Sequence, residues 1–341
     1  MKRIRIAALL AAASLALTAC GSGAAMVDAG SAAEGLSAAY TMPEEYLVEE
    51  EAPLAGTGTG TASGTASSGS YTGTISVIEN KADGKKVYTK GGSTIDASHL
   101  ADGYVMVKQT GLTKRLKVQI VMGDKKYNYD LNHAGNYEAF PLQMGDGKYK
   151  IRILQNKSGN SYAEVYSVTV DVKLNSANAP FLCPSQYVNY TSSSEAVKKS
   201  FDLCVNAKTD TDKLKAIYSW IVSNVSYDYD KASSVKSGYL PSVDSTLSEK
   251  KGICFDYAAL MACMLRAQGI PAKLVVGTVS AQDMNHAWNE VYLEGKGWVT
   301  VKLYFDGNQW KRMDATFGTA QTSEMDSYIQ TDSNYTSLRI Y

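Results

Sequence analysis

The chain has 341 residues, enough for two ordinary domains plus tails, and an apolar fraction of 45% excludes global disorder. Its 34 basic residues balance 34 acidic ones unevenly: residues 1–19 hold three bases and no acid, residues 21–70 seven acids and no base, and 71–341 the remaining 31 bases and 27 acids. That mild excess, without a block of clustered Lys/Arg, excludes an electrostatic nucleic-acid footprint, and five cysteines with no C-x-x-C pair argue against a zinc ribbon or a thioredoxin-type site.

The chain opens with a basic head, Lys2, Arg3 and Arg5, and then an apolar run from Ile6 to Leu17. That run is well short of the roughly 20 residues a membrane-spanning helix needs, so 1–19 reads as a secretory signal peptide. No later segment reaches that length either, and the rest is expected not to span a membrane. The following Leu17-Thr18-Ala19-Cys20-Gly21 resembles the lipobox of bacterial lipoproteins. The resemblance implies cleavage before Cys20, lipidation of that residue, and a protein anchored to a membrane on its extracytoplasmic side, at the cell surface or in the periplasm. An ordinary cleaved signal with an incidental Cys is the alternative. Residues 20–70 are Ala, Gly, Ser, Thr and Glu, too poor in apolar surface to offset the entropy of ordering, and read as a disordered acidic tether.

From 71 to 178 the signal is a period of two. Leu116, Val118, Ile120 and Met122 alternate with Lys117, Gln119 and Val121; Tyr149, Ile151 and Ile153 alternate with Lys148, Lys150 and Arg152; Tyr166, Val168, Val170 and Val172 alternate with polar residues. One buried and one solvated face, punctuated by Gly-Asp and Ser-Gly turns, predicts an antiparallel β-sandwich, with an immunoglobulin-like form as one option. No Cys falls between 21 and 182, so no inter-sheet disulfide is expected. His99 and His133 lack neighbouring ligand-type residues in sequence and read as turn or solvated histidines.

Beyond Pro180 the period changes. Ser192–Glu195 offers caps for a helix to about Val205, and Thr211-Asp212 for a second, with Leu214, Ile217, Tyr218, Ile221, Val222 and Val225 on one face. A third helix is predicted from Cys254 to Gln268, closed by Gly269-Ile270-Pro271. Strands follow at Lys273–Val279, Ala287–Tyr292, Trp298–Phe305 and Trp310–Ala315. Helices first and strands after make residues 179–341 an α+β domain.

The chemistry concentrates in this domain. Cys254, in Gly252-Ile253-Cys254-Phe255-Asp256-Tyr257-Ala258, sits where a loop becomes a helix, and a helix N-terminus pulls a thiol below its usual value of about 8.5. A thiolate nucleophile needs a proton carrier, and His286, in Asn285-His286-Ala287-Trp288-Asn289-Glu290-Val291, is the domain's single histidine. The imidazole in turn needs an orienting carboxylate, for which Asp314 is the candidate.

The Cys254 and His286 motifs and a third, Trp310-x-x-x-Asp314-x-Thr316, with Ile217-Tyr218-Ser219-Trp220-Ile221 and Tyr227-Asp228 upstream, resemble the transglutaminase-like superfamily over about 180–318. The resemblance implies a papain-like core with the nucleophile on a helix, His and Asp on adjacent strands, and catalysis by Cys254, His286 and Asp314. Trp298 is the rival start of the third motif, but four residues on it gives Lys302, a cation that would oppose an imidazolium; Trp298–Asn308 then reads as an extra hairpin strand. Asp256 is the other carboxylate near the Cys and is read as structural. Cys263 lies half a turn out of phase with Cys254 and reads as core. Cys183 and Cys204 are open to either a disulfide or two free thiols.

The implied activity is attack on a peptide or protein amide to give a thioester, which passes to water (protease or amidase) or to an amine (transglutaminase). The Cys254 amide is one oxyanion donor, and Trp220, Tyr227 and Tyr229 are open as a second. No metal, nucleotide or flavin is implied. The expected partners are a protein or peptide substrate and, through the lipid, a membrane, with no nucleic acid. A non-catalytic surface scaffold on the same fold is the alternative.

Overall fold

Alternating sequence between Val87 and Val172 gives eight antiparallel strands in two four-stranded sheets. A computed structural model describes residues 77–132, 134–236, 238–279, 284–305, 310–313 and 335–341. Strands β1 (Val87–Lys90), β2 (Ser93–Asp96), β3 (Tyr104–Gln109) and β6 (Glu138–Pro141) form one sheet in the order β1-β2-β3-β6. Strands β4 (Leu116–Met122), β5 (Lys125–Leu131), β7 (Gly147–Ser158) and β8 (Ser161–Val172) form the other, ordered β5-β4-β7-β8. Leu116, Val118 and Ile120 on β4 and Tyr149, Ile151 and Ile153 on β7 are fully buried, and they share one core with Ile95, Val105 and Val107 of the first sheet. Two sheets closing over one apolar layer are what the period of two predicts.

The helical part follows a turn of 3-10 helix at Ala179–Phe181. It comprises α1 (Glu195–Cys204), α2 (Asp210–Asn224), α3 (Tyr229–Ser234), α4 (Val243–Glu249) and α5 (Cys254–Ala267). Helix α2 starts earlier than predicted: the Thr209 hydroxyl accepts from the Asp212 N–H (3.1 Å), and the Asp212 carboxylate accepts from the Thr209 N–H (3.1 Å), a reciprocal cap. Leu214, Ile217, Tyr218, Ile221 and Val225 are buried along its inner face. Helix α5 is buried all round, which its near-continuous apolar sequence requires.

A five-stranded antiparallel sheet closes the fold in the order β14-β13-β12-β11-β15. Its strands are β11 (Ala272–Val279), β12 (Met284–Leu293), β13 (Gly297–Phe305), β14 (Trp310–Met313) and β15 (Tyr335–Ile340). A parallel two-stranded ladder, β9 (Ser226–Tyr227) with β10 (Lys251–Gly252), ties the chain after α2 to the chain before α5. A mixed α+β domain thus follows an antiparallel β-rich region, and one hydrophobic core runs through both among the described residues. No described helix is long and apolar enough to cross a membrane.

Candidate active site

The start of α5 is built by the spacing Gly252-x-Cys254-x-Asp256. Asp256 is the third residue of the helix and is fully buried. Its Oδ2 accepts from the Ile253 N–H (2.9 Å) and from Lys231 Nζ (3.1 Å), while Oδ1 accepts from the Tyr239 hydroxyl. A carboxylate in the first turn also complements the helix dipole. To fold back this far it lies against the Cα of Gly252, where any Cβ would come within 2.7 Å of the Asp256 Cβ. Glycine is therefore required at 252 by close approach, and Asp256 is the structural carboxylate that sequence suggested.

Cys254 is the first residue of α5 and is 8% exposed. Burial pushes its thiol up to about 11, against the pull of backbone hydrogen bonds from Ala287, Phe255 and Cys254 itself; Asp256 adds a further upward push. The helix terminus acts in the expected direction, but desolvation of the sulfur outweighs it. The bond with Ala287 brings the sulfur against β12 at the residue next to His286.

His286 lies on β12, half-buried, directly opposite Gly277 of β11. Its ring stacks near that of Trp288, with centroids 6.2 Å apart and planes at 24°. The indole of Trp288 passes over Gly277: a Cβ there would meet Trp288 Cη2 at 2.7 Å and the Thr336 carbonyl oxygen at 1.9 Å. The gap at 277 thus seats the ring that packs beside the imidazole. Three residues beyond His286, buried Asn289 donates from Nδ2 to the carbonyls of Ala258 on α5 (3.0 Å) and Lys273 on β11 (3.1 Å). This amide fastens the His strand to the Cys helix.

Tyr227 and Asp228 are drawn in by the β9–β10 ladder, with Tyr227 paired to Gly252 and the Asp228 N–H donating to the Gly252 carbonyl (2.9 Å). Asp228 then caps α3 through the Lys231 N–H (2.9 Å) and pairs with Lys251 (3.2 Å). Tyr227 is raised by burial and then by the neighbouring Cys254, so its phenol stays protonated; its ring meets the exposed Tyr229 at 5.1 Å. Trp220, on α2, lies under the ammonium of Lys199. Lys231, Tyr239, Gly277 and Asn289 escaped sequence reasoning. The only prior signal was at Gly277, an isolated glycine inside a strand pattern.

Asp314 lies outside the described residues, as do Cys20 and His133. Strand β14, which ends at Met313, is separated from β12 by β13, so the strand leading to Asp314 is the next but one from that of His286. Trp298 on β13 is engaged elsewhere: Lys273 Nζ sits 3.9 Å from its ring centre and Phe181 meets its edge. Cys263 is fully buried in α5. Cys183 and Cys204 are free thiols, the first donating to the carbonyls of Asp102 (3.4 Å) and Ala179 (3.6 Å). His99 occupies a turn, as expected, but the fold brings Asp83 within 3.2 Å of Nε2 and Asp102 within 2.8 Å of Nδ1. Among the described residues no group of three or more Cys, His, Asp or Glu is arranged to hold a metal.

Residues 198–303 match the family model described as the transglutaminase-like superfamily. The mouse kyphoscoliosis peptidase is 27% identical over 128 residues, 35% of this chain and 17% of that protein. YebA of Bacillus subtilis, described as uncharacterized, is 31% identical over 109 residues, 27% of this chain and 15% of its own. The chain thus spans less than a fifth of the length of these curated relatives. Among solved structures, the periplasmic domain of TgpA from Pseudomonas aeruginosa aligns with a TM-score of 0.30 at 16% identity, covering 63% of this chain and 73% of that one. The matched segment runs from α1 into β13 and carries both Cys254 and His286, so over residues 198–303 the chain is similar to the transglutaminase-like superfamily.

Proposed function

We propose that the protein is a cysteine-dependent enzyme acting on peptide or protein amides through a thioester, with Cys254 as nucleophile, His286 as proton carrier and Asp314 as the carboxylate that orients the imidazole. The observation that carries the reading is the convergence at residue 254, where a thiol on the first residue of a helix sits against the backbone of Ala287, the neighbour of His286.

A thiol held up by burial is inert near neutral pH without a base, so attack is coupled to proton transfer. Cys254 Sγ adds to the amide carbonyl as its proton passes to His286. The oxyanion forms beside the amides of the α5 start, which are preorganised donors. His286 then returns the proton to the departing amine or ammonia, leaving a thioester. Water attacks that thioester, gives its proton to His286, and releases acid and free thiol. Hydrolysis comes first because the mouse relative is named a peptidase; transfer to a lysine amine is the second outcome. The reading also includes a lipid on Cys20, a disordered tether over 20–70, a β-sandwich domain over 71–178 and a catalytic domain over 179–341, with the active site facing extracytoplasmic substrates.

Incubation with glutamine- and lysine-containing peptides, followed by mass spectrometry, tests it. Fragments indicate proteolysis, replacement of ammonia by water (a gain of about 1 Da) indicates deamidation, and joined peptides that have lost ammonia indicate cross-linking. Cys254→Ala is expected to lower any of these at least ~10³-fold and His286→Ala at least ~10²-fold. In the wild type, iodoacetamide should label Cys254 near pH 7 at least ~10-fold faster than Cys263, and His286→Ala should abolish the difference. Equal product with Cys254→Ala, or equal labelling of the two thiols in the wild type, leaves the scaffold reading instead.

A further inference from the structure

The β-rich region is joined to the thiol helix by rings rather than by a linker alone. Tyr129 on β5 lies 5.8 Å from Tyr187, and Tyr187 lies 5.6 Å from Phe255, the residue after Cys254. Tyr341, just beyond β15, packs on both, at 5.9 Å from Tyr129 and 4.4 Å from Tyr187. All four side chains are at least 96% buried. Polar bonds cross the same junction. The buried Gln143, beyond β6, donates from Nε2 to the Tyr129 hydroxyl (2.8 Å) and to the Ile340 carbonyl (3.3 Å). Gln186 donates to the Asp130 carbonyl (2.8 Å). Within the α+β part, at the far end of α5, the buried guanidinium of Arg266 donates to the carbonyls of Cys183 (2.6 Å), Ala272 (2.8 Å) and Tyr341 (3.0 Å), which fixes the chain end that carries the Tyr341 ring.

We infer that the β-rich region is a positioning element of the thiol site: Tyr129, acting through Tyr187, holds Phe255 and with it the first turn of α5. Aromatic pairs in this distance range add directional packing to area burial, and close-packed interiors transmit displacement instead of absorbing it. Phe255 follows Cys254 and its amide is one of the groups directed at the sulfur, so a shift of its ring moves the donor set. The two regions form one cooperative unit, and a ligand-binding arm that folds and moves independently is not what this junction describes.

The reactivity arm of the test rests on the proposed role of Cys254, whereas the unfolding arm does not. All four tryptophans, Trp220, Trp288, Trp298 and Trp310, lie in the α+β part, so their fluorescence reports that part alone, and hydrogen exchange over 104–172 reports the sheets. In the wild-type protein the two transitions should coincide in urea; two separated transitions overturn the inference whatever the enzyme does. Tyr129→Leu, in the sheet and out of ring contact with α5, should lower kcat about 10-fold with KM within about twofold, since small misplacements of reacting groups carry large rate effects. It should change the Cys254 alkylation rate while Cys183, Cys204 and Cys263 remain protected, which separates repositioning from unfolding. Unchanged kcat and Cys254 labelling in a folded Tyr129→Leu protein overturn it. If the variant unfolds, loss of the tryptophan transition together with the sheets supports coupling, and its survival without them refutes it. A wild-type Cys254 that never reacts sinks the enzyme reading but leaves the unfolding result standing.

Discussion

Asn289 shows how one side chain sets the geometry of the site. Its amide nitrogen bridges carbonyls on α5 and β11, so the strand of His286 and the helix of Cys254 share a fixed point. Asn289→Leu is expected to destabilise the fold by about 1–3 kcal/mol, because two buried acceptors lose a donor; urea unfolding measures it, and turnover should fall with it. Asn289→Asp should be worse at pH 7, setting a carboxylate against two carbonyl oxygens, and should recover partly in acid as that carboxylate protonates. Asp256 works in the opposite sense on the thiol. Burial is the main cause of the raised Cys254, but the Asp256 charge adds to it. Asp256→Asn should therefore lower the pH midpoint of Cys254 alkylation while weakening the start of α5 and leaving Lys231 without its partner. A midpoint that rises instead contradicts the placement of that carboxylate.

At the scale of elements, what could be foreseen follows from how each one is stabilised. The strands of the β-rich region and helices α1 and α2 bury apolar faces, and the periods of two and 3.6 were visible in Leu116–Met122 and in Leu214–Val225, whereas α5, buried all round, showed as a near-continuous apolar run from Cys254. Helices α3 and α4 are six and seven residues long. They are held by Asp228 and Ser242 caps, not by an apolar stripe, and so leave no period to detect. Strands β9 and β10 pair two residues each, with partners 25 apart in sequence, a relation no local pattern encodes. The site was legible to the same extent. Cys254 and His286 carry recognisable motifs, whereas Lys231, Tyr239 and Gly277 matter through contacts made only after folding. The depressed thiol expected from the helix start was reversed because sequence shows the terminus but not the burial.

At the scale of the molecule, the four buried thiols among the described residues give a pH limit. Burial raises Cys183 to about 12, Cys204 to about 11 and Cys254 to about 11, and raises Cys263 further still. Unfolded, each ionises near 8.5. Above that pH the unfolded chain binds fewer protons than the folded one, so stability that is intact below about 8.5 is lost as pH rises toward 11. Thermal midpoints should hold from about pH 7 to 8 and fall steadily beyond 9, and Cys263→Ala should blunt the fall. A flat profile to pH 10 would mean that the thiols are far more solvated than their burial indicates.

The position of β15 has a consequence for biosynthesis. It pairs with β11 across more than fifty intervening residues, and the carbonyl of Tyr341 beside it accepts from Arg266. Until this strand leaves the ribosome, β11 offers an open row of amides and carbonyls to any passing chain, and a cation at the end of α5 lacks one of its acceptors. A version clipped before Tyr335 should therefore collect in the insoluble fraction and require chaperone protection, while the intact chain remains dispersed.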